Sequence, residues 1–199
     1  NLLETHDESE KDFLVSEAIA MFYKLFDPNH EGLIGPQFEH WMRNAALTVM
    51  ADPRGGTLLE IPRLFTDPDF EHRKRRFLTD KVVQAFWEQQ MVRTSDFHRS
   101  EMLNYFTSKF GRFLTNGLMR NILGQTASAF RWDKAMAGRK IVLVSLARGE
   151  IGELNASMLG LILMTKLAVA ALRRASIPME ARTPFYLYVD EFHTVLTDA

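Results

Sequence analysis

Phe185-Tyr186-Leu187-Tyr188-Val189-Asp190-Glu191 places five apolar or aromatic residues in a row directly before two carboxylates. A continuous run of this kind predicts a strand buried on both faces. Acids at the carboxyl end of such a strand lie in the crevice where parallel sheets bind ligands. In nucleotide hydrolases this is the Walker B arrangement. One carboxylate holds Mg²⁺, usually through water, and the next orients or deprotonates the attacking water. On that reading Asp190 is the metal-side acid and Glu191 the catalytic one. A solvated turn after an ordinary core strand has the same spelling, so the neighbouring sequence has to decide.

Working back from the acids, Ile141-Val142-Leu143-Val144-Ser145-Leu146 is a second short, β-branched, two-sided apolar run. It too predicts a buried parallel strand. Arg148-Gly149-Glu150-Ile151-Gly152 reads as a glycine-bearing loop, followed by a helix from about Glu153 to Ala175. Arg173 and Arg174 suit that helix's C-terminus, where cations complement the backbone dipole. Ser176-Ile177-Pro178 breaks it, and Thr183-Pro184 leads into the acid-ended run. The sum is a βαβ unit, right-handed by default. The expected fold class is therefore α/β: part of a parallel sheet over 139–199, behind a mostly helical domain over 1–138.

The first part of the chain reads helical almost throughout. Phe13, Leu14, Ile19, Phe22, Tyr23 and Phe26 recur at helical spacing over 8–26. A second helix spans about Pro36 to Met50, with Phe38, Trp41, Met42, Ala45, Leu47 and Val49 facing the core. Between them, Asp27 to Gly32 superficially resembles a calcium loop, but the alternating Asp/Asn ligands and the terminal Glu are missing. Asp67-Pro68 supplies an N-cap and a first-turn proline for a helix through Phe77. That helix carries His72, Arg73, Lys74, Arg75 and Arg76, which read either as a DNA-phosphate patch or as a solvated face balanced by Asp67, Asp69 and Glu71. Further helices cover about Asp80 to Val92 and, capped by Ser95, a stretch to about Leu114. Phe97, Met102, Phe106, Phe110 and Phe113 in the latter keep the period of a core stripe and not of a base-stacking platform. Short helices at 118–123 and 133–137 each end at a glycine.

Bulk properties narrow the classes. The 199 residues are 46% hydrophobic, enough for one sizeable core or two small ones. A net charge of −1 gives no global basic field, so any nucleic-acid contact is local or comes from an oligomer. The absence of cysteine excludes disulfides, thiolate metal sites and a cysteine nucleophile. Asn1 to Asp12 is polar and acidic, unlike a signal peptide. Met158 to Leu172, about 15 residues, is shorter than the roughly 20 a bilayer span needs and reads as a buried helix. No Gly-x-Ser-x-Gly occurs, and the six His never fall at zinc-ligand spacing.

Several segments in order carry a family resemblance: 34–40, 56–64, 121–125, 140–152 and 184–192. Together they resemble the conjugative-transfer ATPases, namely the type IV secretion coupling proteins of the TraD kind and their HerA-like relatives. That resemblance implies a RecA-like P-loop motor, usually a homo-hexamer, that pumps DNA or protein–DNA substrates using ATP and Mg²⁺. It also implies a relaxase, secretion or nuclease partner and a cytoplasmic location, in some members at the inner face of the membrane. Residues 1 to about 138 would be a helical insertion, and Asp190 and Glu191 match the Walker B pair. The family commonly has Gln where this chain has His193, which reads either as a nucleotide-sensing or DNA-coupling group or as a plain surface residue. No Gly-x-x-x-x-Gly-Lys-[Ser/Thr] occurs. The phosphate loop would precede Asn1 and the arginine finger would follow Ala199. The chain thus reads as a piece of a longer protein, and as an isolated fragment it is expected neither to bind ATP tightly nor to hydrolyse it. Two other readings stay open: the DExH box of superfamily 2 helicases, spelled by residues 190–193, and a non-enzymatic helical adaptor with vestigial acids.

Overall fold

The computed structural model describes residues 1–5, 7–94 and 96–195. Two units, Asn1–Ala127 and Ser128–Ala199, each have their own interior.

In the first unit, capping chemistry sets the helix starts. Helix α1 covers Lys11–Phe26 and α2 Pro36–Met50. Thr57 and Glu60 form a capping box ahead of α3, Ile61–Thr66. Asp67 accepts from the Phe70 amide at 3.0 Å and opens α4, Pro68–Arg75. Asp80 does the same for α5, Lys81–Ala85, which continues through a π-helical turn at Phe86–Gln90 into α6, Met91–Arg93. Helix α7 spans Asp96–Thr115, and Asn116 caps α8, Gly117–Leu123. Ser95, expected to cap α7, and the side chains of Phe97 and Met102 lie outside the described residues.

These helices close over a chain of aromatic rings. Phe22 lies 4.8 Å from Phe110 and 5.2 Å from Phe38, and Phe38 lies 5.0 Å from Phe106. Trp41 stacks on Phe65 at 4.9 Å, and Phe65 reaches Trp87 at 5.3 Å. Phe106, Phe110 and Phe113 are all fully buried, so the stripe on α7 is core. Such ring pairs add roughly 0.5–1.5 kcal/mol each beyond the area they bury.

The second unit is built on one long helix. After α9, Trp132–Ala137, and α10, Arg148–Ile151, helix α11 runs over Glu153–Arg173. Gly152, with φ of 84°, is the joint between α10 and α11, a backbone state that suits glycine. The stretch expected as a loop at 148–151 is thus one helical turn. Arg174 donates to the Thr183 carbonyl, and Arg182 donates to the Ile177 and Ala175 carbonyls, tying the end of α11 to the segment that follows. Met136, Leu167 and Ala170 form a small core with Trp132, Met164 and Phe185 packed against it. By length and composition, Glu153–Ser176 is long and apolar enough to cross a membrane, and half of its apolar window is buried within the structure. The apolar run thus sits in a helix longer than the run itself.

The expected sheet is not found among the described residues. Among the described residues there is no strand, so the α/β class and the βαβ unit of a parallel sheet are overturned in favour of a helical chain. Residues 140–147 and 182–189 do run without helix, turn or bend. A strand, however, needs a neighbour about 4.8 Å away to bond with, and among the described residues no backbone hydrogen bond joins these two segments. Nor are they buried on both faces: Ile141, Leu143, Tyr186 and Tyr188 are 76–92% exposed. The apolar patterning is that of strands, but the lateral partner that would make them strands is missing.

Candidate functional site

The acid-ended segment reaches a cavity of about 1130 Å³ in the second unit. Residues 139–148 and 183–191 line it, together with Ala156, Gly160, Leu163, Met164 and Leu167 of α11. Gly160 is closely packed there. A Cβ on it would meet Val195 at 2.4 Å and Leu146 Cδ1 at 3.1 Å, so only glycine lets the chain lie this close to α11.

Asp190 and Glu191 both lie on this lining and are exposed. Asp190 Oδ1 accepts a hydrogen bond from the Glu191 amide at 2.9 Å. Glu191 stands in the left-handed region, with φ of 49° and ψ of 44°, which is uncommon for a residue with a Cβ. Its Oε2 lies 2.8 Å from Nη2 of Arg148, the first residue of α10. The structure therefore brings together two carboxylates and one guanidinium at the end of the hydrophobic segment. The sequence singled out the acids. It did not pair Arg148 with Glu191, because residues so far apart in the chain announce no contact.

His193 lies two residues beyond, in a 3₁₀ turn at Phe192–Thr194, and is exposed. Its ring centroid is 6.4 Å from that of Phe192. Among the described residues no group of three His, Asp or Glu side chains could hold a metal by themselves. In the first unit, the acid of the calcium-like loop is already engaged by backbone. Asp27 accepts from the amides of Glu31 at 2.7 Å, Gly32 at 3.1 Å and Ile34 at 3.0 Å. The Ile34 amide, helped by the others, holds its carboxyl below the usual carboxylate range.

The basic helix α4 divides. Arg73 and Arg76 are exposed, and Arg73 lies over the Phe70 ring at 5.7 Å. Arg75 is engaged with Glu71 at 2.8 Å and Glu88 at 3.0 Å. Lys74 turns inward and is 5% exposed, with Nζ 3.0 Å from Asp52 and 3.3 Å from Glu60. Burial pushes the Asp52 carboxyl up, but hydrogen bonds from Arg54 and Lys74 outweigh it and hold the group far below the usual range. Of the four cations singled out as a phosphate patch, Arg73 and Arg76 present themselves to solvent with no carboxylate within ion-pair distance among the described residues.

Compared with protein-family models, curated proteins and solved structures, the chain matches none.

Proposed function

We propose that the chain is part of an ATP-driven DNA-translocating motor of the conjugative coupling and HerA-like group, and that Glu191 is its catalytic carboxylate. The observation that carries the reading is the pair Asp190–Glu191 at the edge of the cavity, with Glu191 in a left-handed conformation and bonded to Arg148. Backbone strain of about 1–3 kcal/mol at a polar residue in a cleft is a mark of functional positions.

The residues present fit Mg²⁺ in one limited sense. Mg²⁺ keeps most of its waters and takes one or two carboxylates plus substrate phosphates, so Asp190 acting through water suffices on the protein side. When bound, the ion and ATP supply the electrophilic phosphorus and the neutralising charge. The phosphate-holding loop is not among these residues, so its groups come from elsewhere in the assembled protein. Glu191 orients the attacking water and accepts its proton. Arg148 holds that carboxylate in place and lowers its freedom to turn away. DNA is the substrate, held through its phosphates, and Arg73 of α4 and Arg76 just past its end are the exposed cations available for such contact. His193, three residues from Asp190, is the candidate for sensing the nucleotide or coupling it to DNA. The assembly is a cytoplasmic homo-hexamer that receives its substrate from a relaxase, secretion or nuclease partner.

The test is the ATPase rate of the full-length protein, with and without DNA, beside Glu191→Gln. Hydrolysis stimulated by DNA, with the variant binding nucleotide but turning over at least 100-fold more slowly, is the expected result. Turnover unaffected by the substitution sinks the assignment. A full-length protein that binds substrate through residues 1–127 without any hydrolysis supports the adaptor reading instead.

A further inference from the structure

Cations of the second unit gather at one end of it. Arg131 and Lys134 belong to the start of α9, and Arg139 and Lys140 follow its end. Arg173 closes α11, and Arg182 lies in the segment after it. All six are exposed. Packing brings these stretches of chain together. Met136 of α9 sits against Leu167 and Ala170 of α11, and the Arg174 guanidinium reaches Met136 Sδ at 3.9 Å. Arg174 also donates to the Thr183 carbonyl, and Arg182 donates back to the carbonyls of Ile177 at 2.7 Å and Ala175 at 3.2 Å. Residues 174–183 are thereby folded onto the same end.

Two carboxylates share that end. The hydrogen bond from Arg131, with the Arg173 charge adding to it, holds the Asp133 carboxyl at about 2. Glu180 is the other and is exposed. Glu150, Glu153, Asp190 and Glu191 instead cluster where α11 begins. A helix of that length is roughly 30 Å long, several times the screening length of about 8 Å at physiological ionic strength. The positive end is therefore not cancelled by the negative one. The same end also exposes large apolar side chains: Leu172 at 62%, Met179 at 76% and Ile177 at 40%. A nucleic-acid duplex satisfies the cations, but its phosphates offer nothing to three aliphatic side chains, and base stacking calls for aromatic platforms. An anionic bilayer satisfies both sets. Its headgroups take the guanidinium and ammonium groups, and the apolar side chains enter the boundary with the acyl chains.

We propose that this end of the second unit is a docking surface for an anionic phospholipid bilayer, with the six cations on the headgroups and Leu172, Ile177 and Met179 inserted beneath them. The attachment is peripheral. Helix α11 stays packed in its own unit through Leu167, Ala170 and Gly160 and does not enter the bilayer. The inference is independent of whether Glu191 serves ATP hydrolysis.

The experiment is sedimentation of the 199-residue chain with vesicles of phosphatidylcholine mixed with phosphatidylglycerol, beside vesicles of phosphatidylcholine alone. The chain partitions onto the mixed vesicles and not onto the neutral ones, and added salt releases it. Lys134→Gln combined with Lys140→Gln lowers the partition coefficient about 25-fold, since each cation near such a surface contributes about fivefold. Met179→Ser, made separately, lowers it about tenfold. All three side chains are exposed, so the variants keep the circular dichroism of the parent. No partition onto the mixed vesicles overturns the proposal. Partition that survives the double lysine substitution also overturns it, because the contact then lies elsewhere in the chain. Met179→Ser without effect overturns it as well, and displacement of that variant from the vesicles by duplex DNA then identifies nucleic acid as the partner of this end.

Discussion

Lys74→Met removes an ammonium from the interior of the first unit and keeps most of the side chain's volume. The lysine is 3.0 Å from Asp52 Oδ2 and 3.3 Å from Glu60 Oε1, and it donates to the Gly55 carbonyl at 3.3 Å. Removing one partner of a buried pair costs about 3–5 kcal/mol, because the other charge stays behind without compensation. Asp52 keeps Arg54, which bonds it through Nε at 3.1 Å and Nη2 at 3.0 Å. Because Asp52 stays paired, the expected loss falls below that range, at about 2–3 kcal/mol. Guanidinium unfolding of the chain reads it as a lower midpoint at unchanged slope. Adding Asp52→Asn to Lys74→Met should restore part of the loss, giving a coupling of about 1 kcal/mol or more. The pH arm follows from sign. Asp52 titrates lower in the folded state than in the unfolded chain, so its contribution is complete above the unfolded value of about 4. That contribution is lost as pH falls below it, and Lys74→Met should flatten this acid loss. A variant within about 0.5 kcal/mol of the parent at pH 7 refutes the reasoning and returns Lys74 to the surface.

Two further expectations concern the same unit. Thr48→Val leaves the Trp87 indole N–H, now donating to Thr48 Oγ1 at 2.8 Å, buried without an acceptor. The cost should be about 1–3 kcal/mol by denaturant unfolding, and a change near zero would mean the indole finds another acceptor. Asp27→Asn should lower the thermal midpoint at pH 7. Because the Asp27 carboxyl is depressed in the fold, the gap to the parent should close as pH falls below about 4. A gap that stays constant with pH would remove Asp27's charge from the account.

The helical unit was largely readable because its signals are local. Asp67-Pro68, Asp80 and Asn116 each sit a few residues from the amides they cap, and Phe106, Phe110 and Phe113 share one helical face. The misreading at 141–146 and 185–189 has the opposite cause. Apolar, β-branched runs specify a preference for extended backbone, whereas a strand also requires a neighbour, and that is a property of what lies beside the segment. Lys74 was misplaced for a related reason. A run of four cations, three closing an eight-residue helix and the fourth just past it, resembles a surface, yet one position in each turn of α4 faces inward, and Asp52 and Glu60, distant in sequence, make a charge tolerable there. At the candidate site the acids were legible as the abrupt end of an apolar run. Arg148 was not, since its partner is brought near only by the packing of both segments along α11.

The left-handed backbone at Glu191 separates two kinds of selection acting on one position. Glycine or asparagine would occupy that conformation at less cost than glutamate, by about 1 kcal/mol. A screen that rewards thermal robustness alone would therefore drift away from the carboxylate, and each step would look like an improvement. A screen that rewards turnover would hold it. Position 191 is thus a diagnostic for which property a population of variants has been chosen to keep.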